Sequence, residues 1–271
     1  MRQHELMPKV SVILPVYNGS GTVGYAVRSI LDQTFKDLEL LVVNDGSTDD
    51  TRTVVDAFKD PRIHIVHLPQ NIGRSEARNT GLAKARAPYI AMIDADDLAY
   101  PERIEQQFLF MEQHPDIGLC GAWAHVEDEN GHRIEWRQPL THERIRRSIV
   151  RSNAFIHCTV LVRKSVLEKL GGFDKQFEPA EDYDLYLRIA SQYTVANLPC
   201  TLASYRAHSS FSYRVKEQWA KLPVRWNAIR KYGYPYFQSI YLLTPLVGLL
   251  VPMRFKVLLK THSIPSSSDV C

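Results

Sequence analysis

Short apolar runs rich in β-branched residues alternate with segments of helical periodicity over the first hundred residues, and this alternation constrains the fold most. The runs are residues 10–14, 38–43, 63–66 and 89–93. Ser47, followed three residues later by Asp50, predicts a capping box at the start of one intervening helix. A strand-helix order of this kind favours an α/β fold with a Rossmann-like, mostly parallel sheet flanked by helices.

The pattern changes after Pro115. Residues 117–126 and 133–136 surround Asn130-Gly131 and predict antiparallel strands joined by a hairpin turn. Another strand is expected over 157–162 and a helix over 181–190. We therefore expect a smaller, mixed second half and divide the chain into three parts, which are residues 9–115, 116–213 and a helical C-terminal tail over 214–271.

Composition excludes some functions. Hydrophobic residues make up 45% of the 271 residues, which rules out wholesale disorder, and the net charge of +3 argues against a dedicated nucleic-acid binder. The four cysteines form no C-x-x-C pair, so we expect neither a disulfide nor a structural zinc. The first eight residues lack the apolar segment of a signal peptide. A cytoplasmic location is therefore expected.

Acidic residues follow two of the predicted strands. Asp45 ends the second strand, and Asp94, Asp96 and Asp97 directly follow the fourth. The carboxyl ends of parallel strands form the edge where ligands bind. Three carboxylates within four residues repel one another, and helix capping accounts for only one of them. A divalent cation that bridges to phosphate oxygens would remove the repulsion, so the sequence predicts a metal site here.

Basic and acidic residues on predicted helices give weaker signals. Arg74 and Arg78 lie one helical turn apart and could face a phosphate or a base, Arg78 being preferred, although either could be a solvated helix charge. Glu181 and Asp182 begin a helix, where the helix dipole favours acids in any case. His208 follows a strand, and a lone histidine is usually structural or exposed.

A dinucleotide-binding oxidoreductase is an alternative. Gly19, Gly21 and Gly24 fit G-x-G-x-x-G before a helix, and Asp45 follows at about the expected distance. However, residues 15–18 separate the first glycine from the strand, which places the backbone poorly for a pyrophosphate. This alternative also leaves the three carboxylates after the fourth strand without a role. A nucleotidyltransferase and a non-enzymatic sugar-binding module remain as further alternatives.

Five segments follow one another between residues 10 and 213. They are VILPVYN at 12–18, VNDGSTD at 43–49, NIG at 71–73 continuing to Gly81, DADD at 94–97 and EDYDL at 181–185. In this order they resemble the motifs of the family 2 glycosyltransferases, which have the GT-A fold. Each motif alone is weak, but five in family order are a specific signal.

The resemblance implies a nucleotide-sugar site. Its members are Pro15, Tyr17 and Asn18 after the first strand, Asp45 after the second, Arg78, and Asp94 with Ala95 after the fourth. Pro15 and Tyr17 would lie against the nucleobase. Asp45 would hold the base or ribose, and Asp94 would contact the ribose.

The resemblance also implies metal-binding and catalytic residues. Asp96 would ligate Mn²⁺ or Mg²⁺, and His208 would contact the metal or the diphosphate. Asp182 would be the catalytic base. Glu181 beside it is expected to raise its proton affinity by like-charge repulsion, and Asp184 is assigned to structure. Asp97, in contrast, is expected to have a pKa depressed by the cation, which would make it a poor base.

The reaction that the resemblance implies is the transfer of one sugar, with inversion, from a nucleotide diphosphate sugar, with UDP favoured. The acceptor would be a saccharide or a lipid-linked saccharide in the assembly of cell-surface polysaccharide or glycolipid. Processive members carry Q-x-x-R-W, and Arg225-Trp226 lacks the glutamine three residues earlier, which favours single-sugar transfer.

The C-terminal tail contains fourteen uncharged residues at 240–253, interrupted by Pro245 and Pro252. A bilayer span needs about 20 apolar residues. Basic residues follow the run, so residues 237–260 are expected to contact the inner face of the cytoplasmic membrane peripherally. Packing in the core or in a homodimer is the equal alternative.

Overall fold

The computed structural model describes residues 7–127, 133–206 and 211–243, the side chains of 211–214 excepted. The strands of this part are β1 Val10–Val16, β2 Leu38–Asn44, β3 Ile63–His67, β4 Tyr89–Met92, β5 Leu98–Ala99, β6 Ile117–Glu127, β7 Arg133–Trp136, β8 Leu161–Arg163 and β9 Thr194–Arg206. The helices are α1 Val23–Leu31, α2 Thr51–Asp56, α3 Arg74–Lys84, α4 Arg103–Gln113, α5 His142–Ser148, α6 Lys164–Leu170, α7 Glu181–Gln192 and α8 Phe211–Lys231. Short 3₁₀ helices span His157–Thr159, Lys175–Phe177 and Tyr236–Leu243.

The strands form one mixed sheet in the order β3-β2-β1-β4-β8-β6-β9-β5, with β7 paired to β6. The first four strands along the chain that were expected from the sequence are present as β1 to β4, and they are mutually parallel. The α/β fold with a mostly parallel sheet and flanking helices is therefore confirmed.

The sheet continues across residue 115. Strand β8, from the second half of the sequence, pairs antiparallel with β4 on one side and with β6 on the other. The two expected halves thus contribute strands to the same sheet, and their division at residue 115 remains a prediction.

The two faces of β1 enter separate hydrophobic clusters, because successive strand residues point to opposite sides of a sheet. Val12 and Leu14 pack in the cluster that contains Val27 of α1. Ile13 lies in the other cluster, with Leu185 of α7. A sheet buried on both faces explains why the strands read as continuous apolar runs rather than alternating ones.

Pro15 lies in the central strand β1, where a residue without an N–H normally breaks a hydrogen-bond ladder. Its neighbour two residues earlier, Ile13, accepts a hydrogen bond from the backbone N–H of Ile93 on the β4 side. Strand β4 ends at Met92, so Pro15 faces past the end of that strand. The proline therefore marks the edge of the sheet where the loops begin.

Three local predictions are wrong. Residues 157–159 form a 3₁₀ helix, and only 161–163 of the run expected as a strand are extended in β8. Asp50 is the N-cap of α2, and the hydroxyl of Ser47 instead accepts a hydrogen bond from the Asn18 N–H, so the capping box is absent. Cys200 is disulfide-bonded, contrary to the expectation from cysteine spacing.

Several predictions fall outside the described residues. These are the Asn130-Gly131 turn, His208, and residues 244–260 of the proposed membrane-contacting segment. Within the described part of the chain, no helix is both long and apolar enough to cross a membrane.

Gly81 of α3 provides a test of helix-on-sheet packing. A Cβ at this position would lie 2.7 Å from Cγ2 of Ile13, which is fully buried in β1. We expect Gly81→Ala to lower the free energy of unfolding by about 1–3 kcal/mol, the usual cost of overpacking, measured by urea denaturation.

The matched control is Gly21→Ala, because a Cβ there has no atom within 4 Å. It should leave the free energy of unfolding within about 0.5 kcal/mol of the wild-type value. A Gly81→Ala protein as stable as the control would contradict the close packing of α3 on β1.

Candidate active site

The loops after β1 and β2 are fastened to each other at the carboxyl edge of the sheet. The side-chain carbonyl of Asn18 accepts a hydrogen bond from the Thr48 N–H at 2.8 Å, and the Asn18 N–H donates to Ser47 Oγ at 3.0 Å. Tyr17, just before Asn18, is 49% exposed. These contacts leave an aromatic side chain at the edge where the sequence predicts a nucleobase contact.

Asp45 holds the next turn of the chain. Its two carboxylate oxygens accept hydrogen bonds from the N–H groups of Ile72 at 2.8 Å and Gly73 at 3.1 Å. Gly46 follows with a positive φ of 65°, and a Cβ there would lie 2.3 Å from the carbonyl carbon of Gln70. Asp45 thus has a positioning role that the sequence did not reveal, and its contact with base or ribose remains a prediction.

The G-x-G-x-x-G run does not form a phosphate cradle. The N–H of Gly19 donates to Thr51 Oγ1 at 2.9 Å, and that of Ser20 donates to Asp49 Oδ2 at 3.1 Å. Nothing approaches the position of a Cβ on Gly21 within 4 Å. Because these amides already have protein acceptors, the alternative of a pyrophosphate bound here loses its physical basis.

A buried arginine joins the two halves of the site. Arg78 of α3 is 2% exposed, and its Nη2 donates to Asp94 Oδ1 at 2.7 Å while its Nη1 donates to Glu181 Oε1 at 2.5 Å. Asp94 follows β4, and Glu181 is the first residue of α7. One guanidinium therefore fixes the position of α7 against the edge of the parallel sheet.

This position gives Arg78 a bridging role that the sequence did not reveal, and its contact with a phosphate or a base remains a prediction. The sequence placed Arg78 against a phosphate or a base, but its side chain lies inside the protein between two carboxylates. Arg74, one turn earlier, is 42% exposed and lies 3.8 Å from Glu181 Oε1. The two arginines do share a helix face, as expected, and Glu181 lies against that face.

Asp94 is held as an anion. Burial by itself would raise the pKa of Asp94, but the Arg78 guanidinium outweighs this effect and holds the pKa well below its usual range. The side chain nevertheless remains 30% exposed. A charged, partly accessible carboxylate can accept a hydrogen bond from a ligand hydroxyl.

The other two carboxylates after β4 differ from each other. Asp96 is partly exposed, as a metal ligand requires. Asp97 is 1% exposed and accepts a hydrogen bond from the Arg206 N–H at 3.2 Å. Burial, followed by the charges of Asp94 and Asp96, raises the pKa of Asp97 well above its usual range. The depressed pKa of Asp97 that the sequence predicts applies to the protein with its cation bound, so it remains a prediction, and burial alone has the opposite effect.

No group of three or more His, Cys, Asp or Glu side chains is arranged to hold a metal ion among the residues that the structure describes. Asp94 is hydrogen-bonded to Arg78, and Asp96 is the other partly exposed carboxylate of the segment after β4. His208, the other expected ligand, lies outside the described part of the chain.

Asp182 has the proton affinity of a general base. Burial, followed by the charge of Glu181, raises the pKa of Asp182 to about 6. The expected effect of Glu181 is confirmed, and burial adds the larger contribution. Asp182 accepts hydrogen bonds from the Tyr183 N–H at 2.7 Å and from Asn153 Nδ2 at 3.3 Å. Its side chain remains partly exposed, as a base that meets an acceptor requires.

Asp184 has a structural role, as expected. It is fully buried and accepts hydrogen bonds from Arg188 Nε at 2.7 Å and from the Tyr232 hydroxyl at 3.1 Å. The Arg188 bond lies within α7, and the Tyr232 bond attaches α7 to the residue that follows α8.

Three site residues escaped sequence reasoning. Asn153 contacts Asp182, His157 lies 4.0 Å from Asp94, and Glu178 accepts a hydrogen bond from the Ser75 N–H at 2.7 Å in the first turn of α3. The first two lie between α5 and β8, on either side of the apolar residues 154–156. The sequence signal that could have identified these two residues is a pair of polar side chains on either side of a short apolar run.

The chain matches the family model described as Glycosyl transferase family 2 over residues 11–171. It belongs to the family 2 glycosyltransferases. The matched region contains the loops after β1, β2 and β4, and it ends before Asp182. The family resemblance is therefore confirmed, whereas the EDYDL segment at 181–185 lies outside the matched region and its role remains a prediction.

Two relatives illustrate the range of the similarity. The chain is 29% identical over 267 residues to the uncharacterized glycosyltransferase MJ1057 of Methanocaldococcus jannaschii, a match that covers 93% of this chain and 92% of that protein. It is 33% identical over 204 residues to the amylovoran biosynthesis glycosyltransferase AmsE of Erwinia amylovora, covering 73% of this chain and 76% of that protein.

Solved structures share the fold. The mannosyltransferase PcManGT of Pyrobaculum calidifontis, in complex with GDP-Man and Mn²⁺, aligns with a TM-score of 0.67 at 19% identity over 96% of this chain and 80% of that one. TarS residues 1–349 of S. aureus, in complex with UDP, aligns with a TM-score of 0.66 at 20% identity over 91% of this chain and 73% of that one. Both confirm the GT-A architecture.

The Arg78 bridge predicts a large and pH-dependent loss of stability when it is removed. Arg78→Gln leaves two enclosed carboxylates without their counter-charge, so we expect the free energy of unfolding to fall by about 3–5 kcal/mol at pH 7. Folding lowers the pKa of Asp94, so its ion pair stabilises the protein above an unfolded pKa of about 4 and this contribution fades as the pH falls. Urea denaturation at pH 3 and pH 8 should show the larger loss at pH 8.

The control is Arg52→Gln, which removes an exposed pair 3.6 Å from Asp56. This variant should lose less than about 1 kcal/mol at either pH. Equal losses for the two variants would show that Arg78 does not bridge buried charges.

Proposed function

We propose that this glycosyltransferase moves one sugar from a nucleotide diphosphate sugar to an acceptor hydroxyl with inversion at the anomeric carbon. The observation that carries the proposal is the partly exposed carboxylate of Asp182, whose pKa is raised to about 6. Glu181 and Arg78 connect this carboxylate to Asp94 at the sheet edge. These contacts fix the position of the proposed base, Asp182, relative to the sheet edge that we propose binds the nucleotide.

The proposed reaction is a single displacement. Asp182 removes the proton of the acceptor hydroxyl as its oxygen attacks the anomeric carbon, and the nucleoside diphosphate leaves from the opposite face. A base with a pKa near 6 is mostly ionised at pH 7 but retains more proton affinity than an ordinary aspartate. Asp94 remains anionic and is available to a hydroxyl group of the donor.

A divalent metal fits the segment after β4 only together with the substrate. Mg²⁺ and related ions commonly bind through one or two carboxylates plus substrate phosphates, which suits the partly exposed carboxylate of Asp96. The complex of PcManGT with Mn²⁺ supports this assignment. When bound, the metal would offset the charge that develops on the departing diphosphate.

For the donor we propose a UDP-sugar, which TarS in complex with UDP supports, while PcManGT in complex with GDP-Man makes a guanosine donor the competing outcome. For the acceptor we propose a saccharide or a lipid-linked saccharide in envelope polysaccharide assembly, supported by the relative AmsE. A screen of nucleotide sugars by release of nucleoside diphosphate tests the donor.

Ligand binding can be tested before any acceptor is known. We expect UDP, in the presence of Mn²⁺, to raise the midpoint of thermal unfolding, because a ligand that binds only the native state stabilises it. NAD should have no effect, since the glycine-rich segment already uses its amides. Protection by NAD but by none of the nucleoside diphosphates would contradict the proposed function.

Asp182→Asn tests the base. This variant should keep its affinity for UDP and Mn²⁺ in calorimetry but lose at least about 10²-fold in transfer rate.

In the wild type, kcat/KM should rise with pH through about 6, because the carboxylate accepts a proton only when it is ionised. Asp182→Asn should lose this pH dependence together with the rate.

Glu181→Gln is the comparison, since it keeps the shape of its side chain. If Glu181→Gln is inactive while Asp182→Asn transfers normally, the two roles are exchanged. If both variants retain full activity, the acceptor side of the proposal is wrong.

Asp96→Asn tests the metal. The substitution removes the charge of the accessible carboxylate while preserving its size, so activity should be lost without a change in the thermal unfolding midpoint measured without ligands. Manganese titrations of activity provide the measurement. Near-normal turnover of the variant at saturating Mn²⁺ would remove Asp96 from the metal site.

A further inference from the structure

The imidazole of His157 lies in the site with one ring nitrogen unused. The side chain is 9% exposed, and Nδ1 lies 2.7 Å from the hydroxyl of Tyr186 on α7. The other nitrogen, Nε2, is buried and has no hydrogen-bond partner among the described residues. A buried polar group without a partner costs free energy, so an unpaired one within a binding site suggests a ligand partner.

The Tyr186 contact determines which nitrogen carries the proton. Burial raises the pKa of Tyr186 well above its usual range, so the phenol keeps its hydrogen. The side chain is 1% exposed, and Nδ1 of His157 is the acceptor that the described residues offer it. If Nδ1 accepts, the ring proton is on Nε2. Burial, followed by the charge of Arg78, lowers the pKa of His157 to about 3, so the ring is a neutral donor.

This donor is separated from Asp94 by a short gap. Nε2 lies 4.0 Å from Asp94 Oδ1, which is too long for a direct hydrogen bond. One oxygen atom that lies about 2.8 Å from each would join them at an angle of about 90°. A hydroxyl group suits this position, since it can accept from Nε2–H and donate to the Asp94 carboxylate.

The gap lies where the transferred sugar must be. Asp94 follows β4 on the nucleotide side, whereas Tyr186 is four residues after Asp182 and therefore on the same face of α7. His157 hydrogen-bonds to Tyr186 and lies 4.0 Å from Asp94, so it is close to both sides. The anomeric carbon must lie between the diphosphate and the base for the proposed displacement to occur, so a sugar hydroxyl would be close to His157.

We propose that His157 Nε2 and the Asp94 carboxylate together hold one hydroxyl group of the transferred sugar, with Tyr186 as the positioning residue that orients the imidazole. This inference rests on the proposed function and adds the donor-sugar contact to it. The neutral ring orients the sugar without exchanging a proton in the reaction. An ordered water in the gap is the competing occupant.

Three variants and a set of donor analogues test the contact. His157→Phe removes the donor, His157→Gln retains an N–H, and Tyr186→Phe removes the group that orients the ring. Each is assayed for hydrolysis of the nucleotide sugar that the wild type uses, without acceptor, and for calorimetric affinity toward its nucleoside diphosphate. The same assays are repeated with monodeoxy analogues of that sugar. His125→Phe is the control, because His125 also contacts a tyrosine hydroxyl, that of Tyr100, at 2.6 Å.

We expect His157→Phe to keep its nucleoside diphosphate affinity within about twofold and to lose about tenfold in kcat/KM for the sugar donor. His157→Gln should lose less kcat/KM than His157→Phe, and so should Tyr186→Phe. The control His125→Phe should have the kcat/KM of the wild type. One monodeoxy donor should be about tenfold worse than the parent for the wild type but not for His157→Phe, the coupling expected of a direct contact.

Two results would overturn the contact. The first is a His157→Phe protein whose kcat/KM for the sugar donor equals that of the wild type. The second is that each monodeoxy donor lowers kcat/KM by the same factor in the wild type and in His157→Phe, which would indicate water in the gap. Nitrogen-15 NMR of the wild-type imidazoles gives a readout independent of activity, and it should show a neutral Nε2–H tautomer from pH 5 to pH 8. An Nδ1–H tautomer would also overturn the inference. If the wild type releases nucleoside diphosphate from no nucleotide sugar, the proposed function itself fails.

Discussion

The buried guanidinium of Arg78 is the interaction on which the rest of the site depends. It pairs with Asp94 after β4 and with Glu181 at the start of α7, two carboxylates that come from opposite sides of the site. Without the cation, both groups would carry the cost of burying a charge. With it, helix α7 is held in a fixed position and orientation against the parallel sheet, and so is the base that follows Glu181.

The same bridge separates the properties of neighbouring carboxylates. Arg78 keeps the pKa of Asp94 low, whereas burial and Glu181 raise the pKa of Asp182 to about 6. Asp97 is buried near Asp94 and Asp96, and burial followed by these two charges raises its pKa strongly. Aspartates close to one another in the site thus become a permanent anion, a titratable base and a buried acid, because their distances to one arginine and to solvent differ.

The sequence predicted the sheet well, because β1 to β4 are apolar runs bounded by turn residues and their order along the chain allows few topologies. The motif order also predicted the family, and the family comparison confirms it. The position of Arg78 could not be predicted in the same way. Its partners are 16 and 103 residues away along the chain, and only the folded sheet brings them together.

Other features of the site could not be predicted from the sequence for similar reasons. Polar residues between α5 and β8 were overlooked because β-branched neighbours dominate the local pattern, although Asn153 and His157 reach Asp182 and Asp94 through tertiary contacts. The capping box failed because the Ser47 hydroxyl has a better-placed partner in the Asn18 N–H, a contact between two loops. Local patterns predict elements, whereas the chemistry of this site depends on contacts between residues distant in sequence.

The most direct test of the account is a carbon-13 NMR titration of the Asp182 carboxyl in the wild-type protein without ligands. We predict a midpoint at about pH 6, shifted toward ordinary aspartate values in Glu181→Gln because the neighbouring charge is lost. A midpoint near the ordinary value of about 4 in the wild type, in a protein that still transfers sugar, would contradict the assignment of Asp182 as a base tuned by burial and by Glu181.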